Sequence, residues 1–410
     1  MLSEIFTHRA IQTIGNILFF LLILVLMVDP GNAILHLKDK IFVCFVGYNI
    51  LFLKPDIRYL AFILPIYLVI AICFVLSTIQ QVPIDLTYTL AAFKGFAPLI
   101  LLLWIPHYNV LKLVTPSIII TSLIILILYT VIVSVPELEN LLFLYSKEHN
   151  EMVMLTRRNW LGVNIFGMYY RSVVTFLPLF FISTYYLFSS ECKSKIKVLL
   201  VFVILFTTFL ISGTRAMFLT PFAILGVVIW LRFLTKSKAR YFLYPIFALA
   251  FVMFLILIIM MATQEGDQSN NIKYGHLVSY ADLFNEQIWY TLWGQGPGSM
   301  FYSEGFGRMT AETEWTYLEL MRNYGIFSIV IFFVYIYPLY CCFKFRRDNF
   351  MIGMGFTYTI FLLVGGTNPF LLNSQGMTMV WIMYSYLYNN DAVHFIKAKD
   401  KTLHSEVDSP

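Results

Sequence analysis

The sequence predicts an all-α protein, a polytopic bundle of about twelve membrane-crossing helices with one large outer loop. Composition points there first. Hydrophobic residues form 59% of the chain and charged residues only 12%, whereas soluble domains carry roughly 25% charged residues. The mean hydropathy of +0.77 agrees. Second, the apolar residues gather in runs of the length that crosses a bilayer, about 20 residues in helical form. Third, Lys and Arg cluster in alternate connections, as they do on the cytoplasmic side of membrane proteins.

In chain order, spans are expected near 11–28, 41–53, 59–79, 86–105, 113–135, 168–188, 196–212, 216–234, 241–262, 325–343, 350–366 and 376–388. Arg9 stands before the first run, as in a signal peptide, but no clear small-residue cleavage site follows, so a retained helix is expected. The second run is short and reaches back toward Leu35 and Leu37, and the last is also short. The fourth holds Lys94, which is read either as a buried paired cation or as one that snorkels. With the N-terminus inside, 17 of the 28 basic residues fall on cytoplasmic segments. Both termini are then cytoplasmic, and the chain forms a single transmembrane domain over 1–410. Its net charge of +5 sets topology and does not signal nucleic-acid binding. The five cysteines show no metal-ligand spacing, and His276 is a lone loop histidine, so neither a metal nor a cofactor is expected.

Two outer segments result, 136–167 and the large loop 263–324. The loop begins polar, QEGDQSNNIKYG. In the next stretch Leu277, Tyr280, Phe284, Ile288 and Leu292 recur at helical spacing, which predicts an amphipathic helix on the membrane surface with Trp289, Tyr290 and Trp293 at headgroup depth. Gly294, Gly296 and Gly298 then form a turn able to bring backbone N–H groups close to a ligand. Glu312 and Glu314 follow, and Trp315, Tyr317, Leu318 and Leu320 begin a second amphipathic helix.

Several charges are candidates for chemistry. Arg215 opens a span after the tight turn Ser212-Gly213-Thr214. A guanidinium there either pairs, its planar fork suiting phosphate oxygens, or snorkels to mark the interface. Arg171 holds a similar place in MYYRSVVTF. With Arg157, Arg158 and Arg308 these arginines could line an outer pocket for a diphosphate, or be solvated. Glu312 and Glu314 are candidate general bases, since burial near the membrane raises a carboxyl into range. Either could equally be a charge favoured by a helix N-terminus.

At these residues the chain resembles the O-antigen ligase and O-antigen polymerase (Wzy-type) superfamily of membrane glycosyltransferases. An apolar span ending in SGTR, the turn LWGQGPGSMF, and ETEWTYLELMRNYGIFSIVIFF are similar in kind and order to that family's segments over roughly 205–335. The family's Y-L-x-x-L run is here Tyr317, Leu318, Glu319, Leu320, one residue shorter. Where ligases of the superfamily hold His followed by Asn, this chain has Glu314 followed by Trp315, which favours a polymerase over a ligase. The resemblance implies an oligosaccharide repeat-unit polymerase that takes undecaprenyl-diphosphate-linked glycans at the outer face of the bacterial inner membrane, in O-antigen, capsule or exopolysaccharide synthesis. It further implies a metal-independent, inverting transfer, catalytic Glu314, Glu312 and Arg215, and as partners membrane lipids, a chain-length regulator and a flippase. An O-antigen ligase is the alternative. A lipid-linked oligosaccharide flippase is the alternative of another class, disfavoured because the spans hold few charges besides Lys94.

Overall fold

A backbone in a bilayer must satisfy its own hydrogen bonds, and so the long apolar runs close into helices. The computed structural model describes residues 8–32, 34–148, 153–160, 163–189, 192, 194–234, 268–368 and 371–390, with single positions between 245 and 260. In order come α1 (His8–Val28), α2 (Lys38–Phe52), α3 (Leu60–Ile79), α4 (Leu86–Phe96) and a 3-10 segment, Ala97–His107. There follow α5 (Val110–Ser134), α6 (Pro136–Glu148), the hairpin β1 (Val153–Trp160) and β2 (Val163–Tyr170), and a 3-10 turn, Arg171–Phe176, that leads into α7 (Leu177–Leu187). Next are α8 (Lys195–Ile211) and α9 (Arg215–Ile229). The loop contributes α10 (Gln268–Glu286), α11 (Ile288–Trp293), the small hairpin β3 (Phe301–Ser303) and β4 (Arg308–Thr310), and α12 (Thr316–Tyr324). The last helices are α13 (Ser328–Lys344), α14 (Asn349–Gly366) and α15 (Ser374–Asn389).

Among the described residues, 7 helices are long and apolar enough to cross a membrane. This is therefore a helical membrane protein. The expected spans at 41–53, 196–212 and 376–388 are the shorter helices α2, α8 and α15, of 15, 17 and 16 residues, and the expected span 168–188 begins in strand β2 and continues as the 3-10 turn and the 11-residue α7. The expected span 241–262 lies outside the described residues except at single positions. The fourth span is α-helical only to Phe96. Pro98 has no N–H to offer the Lys94 carbonyl, which accepts from Ala97 instead, and the chain tightens into the 3-10 segment.

The core is built around α15, which is buried almost throughout. Trp381 Nε1 donates to the Pro98 carbonyl at 2.8 Å and the Tyr384 hydroxyl to the Val334 carbonyl at 3.0 Å, tying α15 to the 3-10 segment and α13.

The loop docks on one end of the bundle. The Asp85 and Met300 N–H groups bond Gly298 and Pro83 carbonyls, both at 2.8 Å, joining the glycine turn to the α3–α4 connection. Thr316 Oγ1 donates to the Asn368 carbonyl at 2.7 Å, joining α12 to the α14–α15 connection. The Tyr170 hydroxyl bonds the Val28 carbonyl, bringing the start of the Arg171 turn to the end of α1. At the opposite end lie Lys54, Arg58, Lys112, Lys195, Arg232, Lys344, Arg346 and Arg347.

One expectation for the loop is corrected. The helix expected to lie on the membrane surface is two helices, because Gln287 is extended (φ −139°, ψ 92°). Of the expected stripe, Leu277, Ile288 and Leu292 are exposed and Tyr280 alone is buried. Tyr280 is buried under the small hairpin, its ring 5.4 Å from that of Phe301. Trp289 and Trp293 of α11 do remain exposed.

Candidate functional site

Three groups of charge occupy the loop-bearing end, and they differ in how far the protein satisfies them. The first is centred on Arg322 of α12, which is fully buried. Its guanidinium forms an ion pair with Glu319 one turn back. It also donates to Gln295 Oε1 at 2.9 Å, to the carbonyl and Oγ of Ser299 at 2.9 and 2.6 Å, and to the Ala311 carbonyl at 2.7 Å. The Phe301 ring lies 4.4 Å below it. The Tyr280 hydroxyl donates to the other Glu319 oxygen at 2.6 Å. Burial, reinforced by Glu319, pushes the Tyr280 phenol far above its ordinary range, so it stays a donor. This network knots α10, the glycine turn and the β3–β4 hairpin together.

The second group is the seam of α10. Arg215 Nη1 donates to Asn270 Oδ1 at 2.9 Å. One turn on, Lys273 meets Glu314 at 3.4 Å and donates to the Thr367 carbonyl at 3.1 Å. His276 is fully buried, Nδ1 2.7 Å from Ser303 Oγ and its ring edge-on to Phe306. Burial lowers the His276 pKa from its ordinary 6.5, against the pull of Glu314 and Glu319. α10 thus stands between Arg215 and Glu314, giving each its own partner.

The third group lines a cavity of about 650 Å³. Its walls include the α1–α2 connection, α2, α4, the start of the Arg171 turn, the loop at Gly298 and Glu312, and the first turn of α15. Lys38, Lys94, Arg171, Asp39 and Glu312 are the charged residues of its lining. Among the described residues, Lys94 and Arg171 form neither an ion pair nor a side-chain hydrogen bond. Asn373 caps α15 by accepting from Gln375 and Gly376 N–H, both at 3.1 Å, and Ser374 and Gln375 line the cavity, so the positive end of the α15 dipole faces it.

The candidates from sequence therefore separate. Arg171, Glu312 and Gly298 come together in the cavity. Arg215 and Glu314 lie on the α10 seam. Arg308 is exposed on β4, its guanidinium 5.7 Å from the Phe306 ring. Arg157 and Arg158 stand on β1 opposite Phe166 and Ile165, and their side chains lie outside the described residues. The turn glycines have φ of 76°, 87° and 79° at Gly294, Gly296 and Gly298, a region that L side chains avoid. They press on the Asn323 carbonyl, on Ser77 and on Thr89 respectively, so their first task is to seat the loop on α12, α3 and α4.

Sequence reasoning did not find Lys38, Asp39, Asn373 or the Arg322 network. A signal existed only for Lys94, a cation inside an apolar run, and for Asn373-Ser374-Gln375, a polar cluster before a span. Among the described residues no group of three or more His, Cys, Asp or Glu could hold a metal ion. No protein-family model matches the chain, and no curated protein or solved structure is significantly similar to it.

Proposed function

We propose that the protein is a membrane glycosyltransferase, an oligosaccharide repeat-unit polymerase acting on undecaprenyl-diphosphate-linked glycans at the outer face of the cytoplasmic membrane. The observation that carries this is the cavity, which Arg171 and Lys94, with no ion pair or side-chain hydrogen bond among the described residues, line together with Glu312. Cations left unpaired at a membrane edge call for an anion, and a carboxylate on the same cavity lining supplies a base. In the proposed step Glu312 takes the proton of an acceptor sugar hydroxyl. That oxygen bonds to the anomeric carbon of the donor from the side opposite the leaving group. The bond from this carbon to the diphosphate oxygen breaks, and its electron pair leaves with the diphosphate, whose charge Arg171 and Lys94 balance. Attack from the opposite side inverts the anomeric centre. Glu312 takes the role of base in preference to Glu314 because it lines the cavity with Arg171 and Lys94, whereas Glu314 lies on the α10 seam with Lys273.

The concentration of basic residues at the end opposite the loop supports placing the loop outside and both termini inside. The resemblance at SGTR, LWGQGPGSMF and ETEWTYLEL supports the same chemistry. The test is reconstitution of the purified protein with a lipid-linked oligosaccharide repeat unit. A ladder of longer lipid-linked chains is expected, with release of polyprenyl diphosphate. Single units transferred to an added lipid A-core acceptor, without a ladder, would assign the protein as a ligase. One observation favours a transporter as second reading, namely Lys94 lining a cavity from within a span. Movement of the intact lipid-linked unit between leaflets of proteoliposomes, with no new glycosidic bond, would establish it.

A further inference from the structure

We infer that the cavity receives its anion as the headgroup of a lipid, admitted sideways from the bilayer between α2 and α4, with Lys94 as the deep phosphate contact. This deepens the proposed function and rests on it for the glycan, but not for the phosphorylated lipid.

The packing of the two helices supplies the gap. α2 packs along α1, while α4 packs on the 3-10 segment and α15, yet both line the cavity. Val43 of α2 and Tyr88 of α4 line it while 67% and 38% exposed, so each borders both the cavity and the outside. The wall is therefore open there. Depth decides what the opening admits. Val43 lies five residues into α2 from Lys38, about 8 Å along the axis, and Lys94 eight residues into α4 from Leu86, about 12 Å. The mouth thus falls beside apolar runs, below the helix ends to which the loop is docked. Leu22 and Leu26 of α1, with Phe42 and Val43, give the cavity an apolar wall on that side.

Electrostatics follows the same gradient. The two carboxylates, Asp39 and Glu312, lie on the first turn of α2 and on the loop, toward the loop-bearing end, against one cation there, Lys38, whose ammonium donates to the Pro30 carbonyl at 3.0 Å. An anion arriving from that end meets them first. One arriving through the side meets Lys94 and the first turn of α15. Gly95 makes this possible: without a Cβ, it lets the Leu372 carbonyl sit against α4, which brings the start of α15 level with Lys94. A lysine within a span is costly unless it is satisfied. Here a phosphate satisfies it and the apolar wall takes the first units of the tail.

The test measures binding, apart from any transfer, to the purified full-length protein in nanodiscs. The probes are a polyprenyl phosphate, the uncharged polyprenol and inorganic pyrophosphate. Polyprenyl phosphate should bind well above polyprenol. Lys94→Gln should weaken it by at least about tenfold, the loss of one charge-assisted hydrogen bond, while Lys40→Gln, at an exposed position away from the cavity, should not. Val43→Trp, filling the mouth, should slow loading of the lipid and leave pyrophosphate binding unchanged. If that variant folds poorly, a Val43→Cys protein lacking Cys44 can be loaded before or after a bulky maleimide, and only prior labelling should block the lipid. Lipid loading that ignores both blocks would overturn the side opening, and full binding by Lys94→Gln would make Lys94 a snorkelling residue. Pyrophosphate binding as tightly as the lipid would assign a soluble anion instead. Phosphate-lipid binding as expected, without chain extension in reconstitution, would remove the polymerase and leave the lipid site standing.

Discussion

Arg322 and Arg171 belong to the same end of one bundle, and the segment 311–324 reaches both surroundings. Their fates are opposite. Arg322 is enclosed by Glu319, Gln295, Ser299 and the Ala311 carbonyl, so its charge is spent inside the protein. Arg171 and Lys94 border a cavity and have no such partners among the described residues. The two regions are also linked, because Arg322 holds Ala311 and Ser299, the neighbours of the cavity residues Glu312 and Gly298. The difference teaches that a buried charge completed by its own chain builds the wall of a site, whereas a charge left open marks where a ligand completes it.

The sharpest way to break this comparison is to remove the completed charge. Arg322→Met strands Glu319 in the core, and breaking a buried pair in this way costs about 3–5 kcal/mol. Thermal unfolding should show a large loss, and Arg322→Met/Glu319→Leu should recover much of it, since an apolar pair replaces a buried ion pair at small cost. A small effect of the single variant would mean that the loop is not held by this knot.

Arg171→Gln should behave in the opposite manner, with near-normal thermal stability and a lipid-phosphate affinity reduced by about 10- to 100-fold, the range of one or two charge-assisted hydrogen bonds. Arg171→Lys should restore only part of it, for lack of the planar fork. Loss of stability equal to that of Arg322→Met would place Arg171 among the structural charges.

Gly298→Ala should cost roughly 1–2 kcal/mol for the left-handed backbone alone, with a further penalty from Thr89 and the Asp85 carbonyl. Gly307→Ala, at φ 61° with open space around it, isolates the backbone part. Equal losses at the two positions would show that the glycine turn is not seated on α4.

The smallest effect concerns pH. His276 has its pKa lowered on folding, so the unfolded chain binds the proton more readily. Stability of the α10 seam is then complete above the ordinary value of 6.5 and falls as the pH drops below it. Hydrogen-exchange protection in α10 and the small hairpin, taken relative to the intrinsic rate at each pH, should fall between pH 7 and pH 5 in the wild type and less so in His276→Gln. Higher protection at low pH would mean that the buried histidine is held charged.

Much of this was legible in the sequence, for reasons that particular elements make plain. α1, α3 and α5 each leave apolar side chains exposed, and their long apolar runs announce them. α15 is surrounded by protein, so Gln375, Thr378 and Ser385 are tolerated in it and its signal is weak. Arg171 and Glu312 could be named as candidates, because a charge at a membrane edge is costly and therefore conspicuous. Their meeting could not be read, since it depends on how the α1–α2 connection, α4 and the loop converge. Glu319 reads as an ordinary helix charge three residues from Arg322, and nothing in that spacing shows that Tyr280 and the hairpin will bury both. Arg215 and Glu314 look alike to Arg171 and Glu312 in sequence, and place separates them: Arg171 and Glu312 line the cavity, while Arg215 and Glu314 meet Asn270 and Lys273 on α10.

That separation gives the most direct test. Glu312→Gln and Glu314→Gln should be compared in reconstituted chain extension, with protein levels and thermal stability matched. A general base contributes about 10²–10⁴-fold to rate, so Glu312→Gln should leave single repeat units at unchanged lipid-phosphate affinity, while Glu314→Gln, which loses only its contact with Lys273, should still give long chains. Long chains from Glu312→Gln and none from Glu314→Gln would move the chemistry from the cavity to the α10 seam and contradict the account.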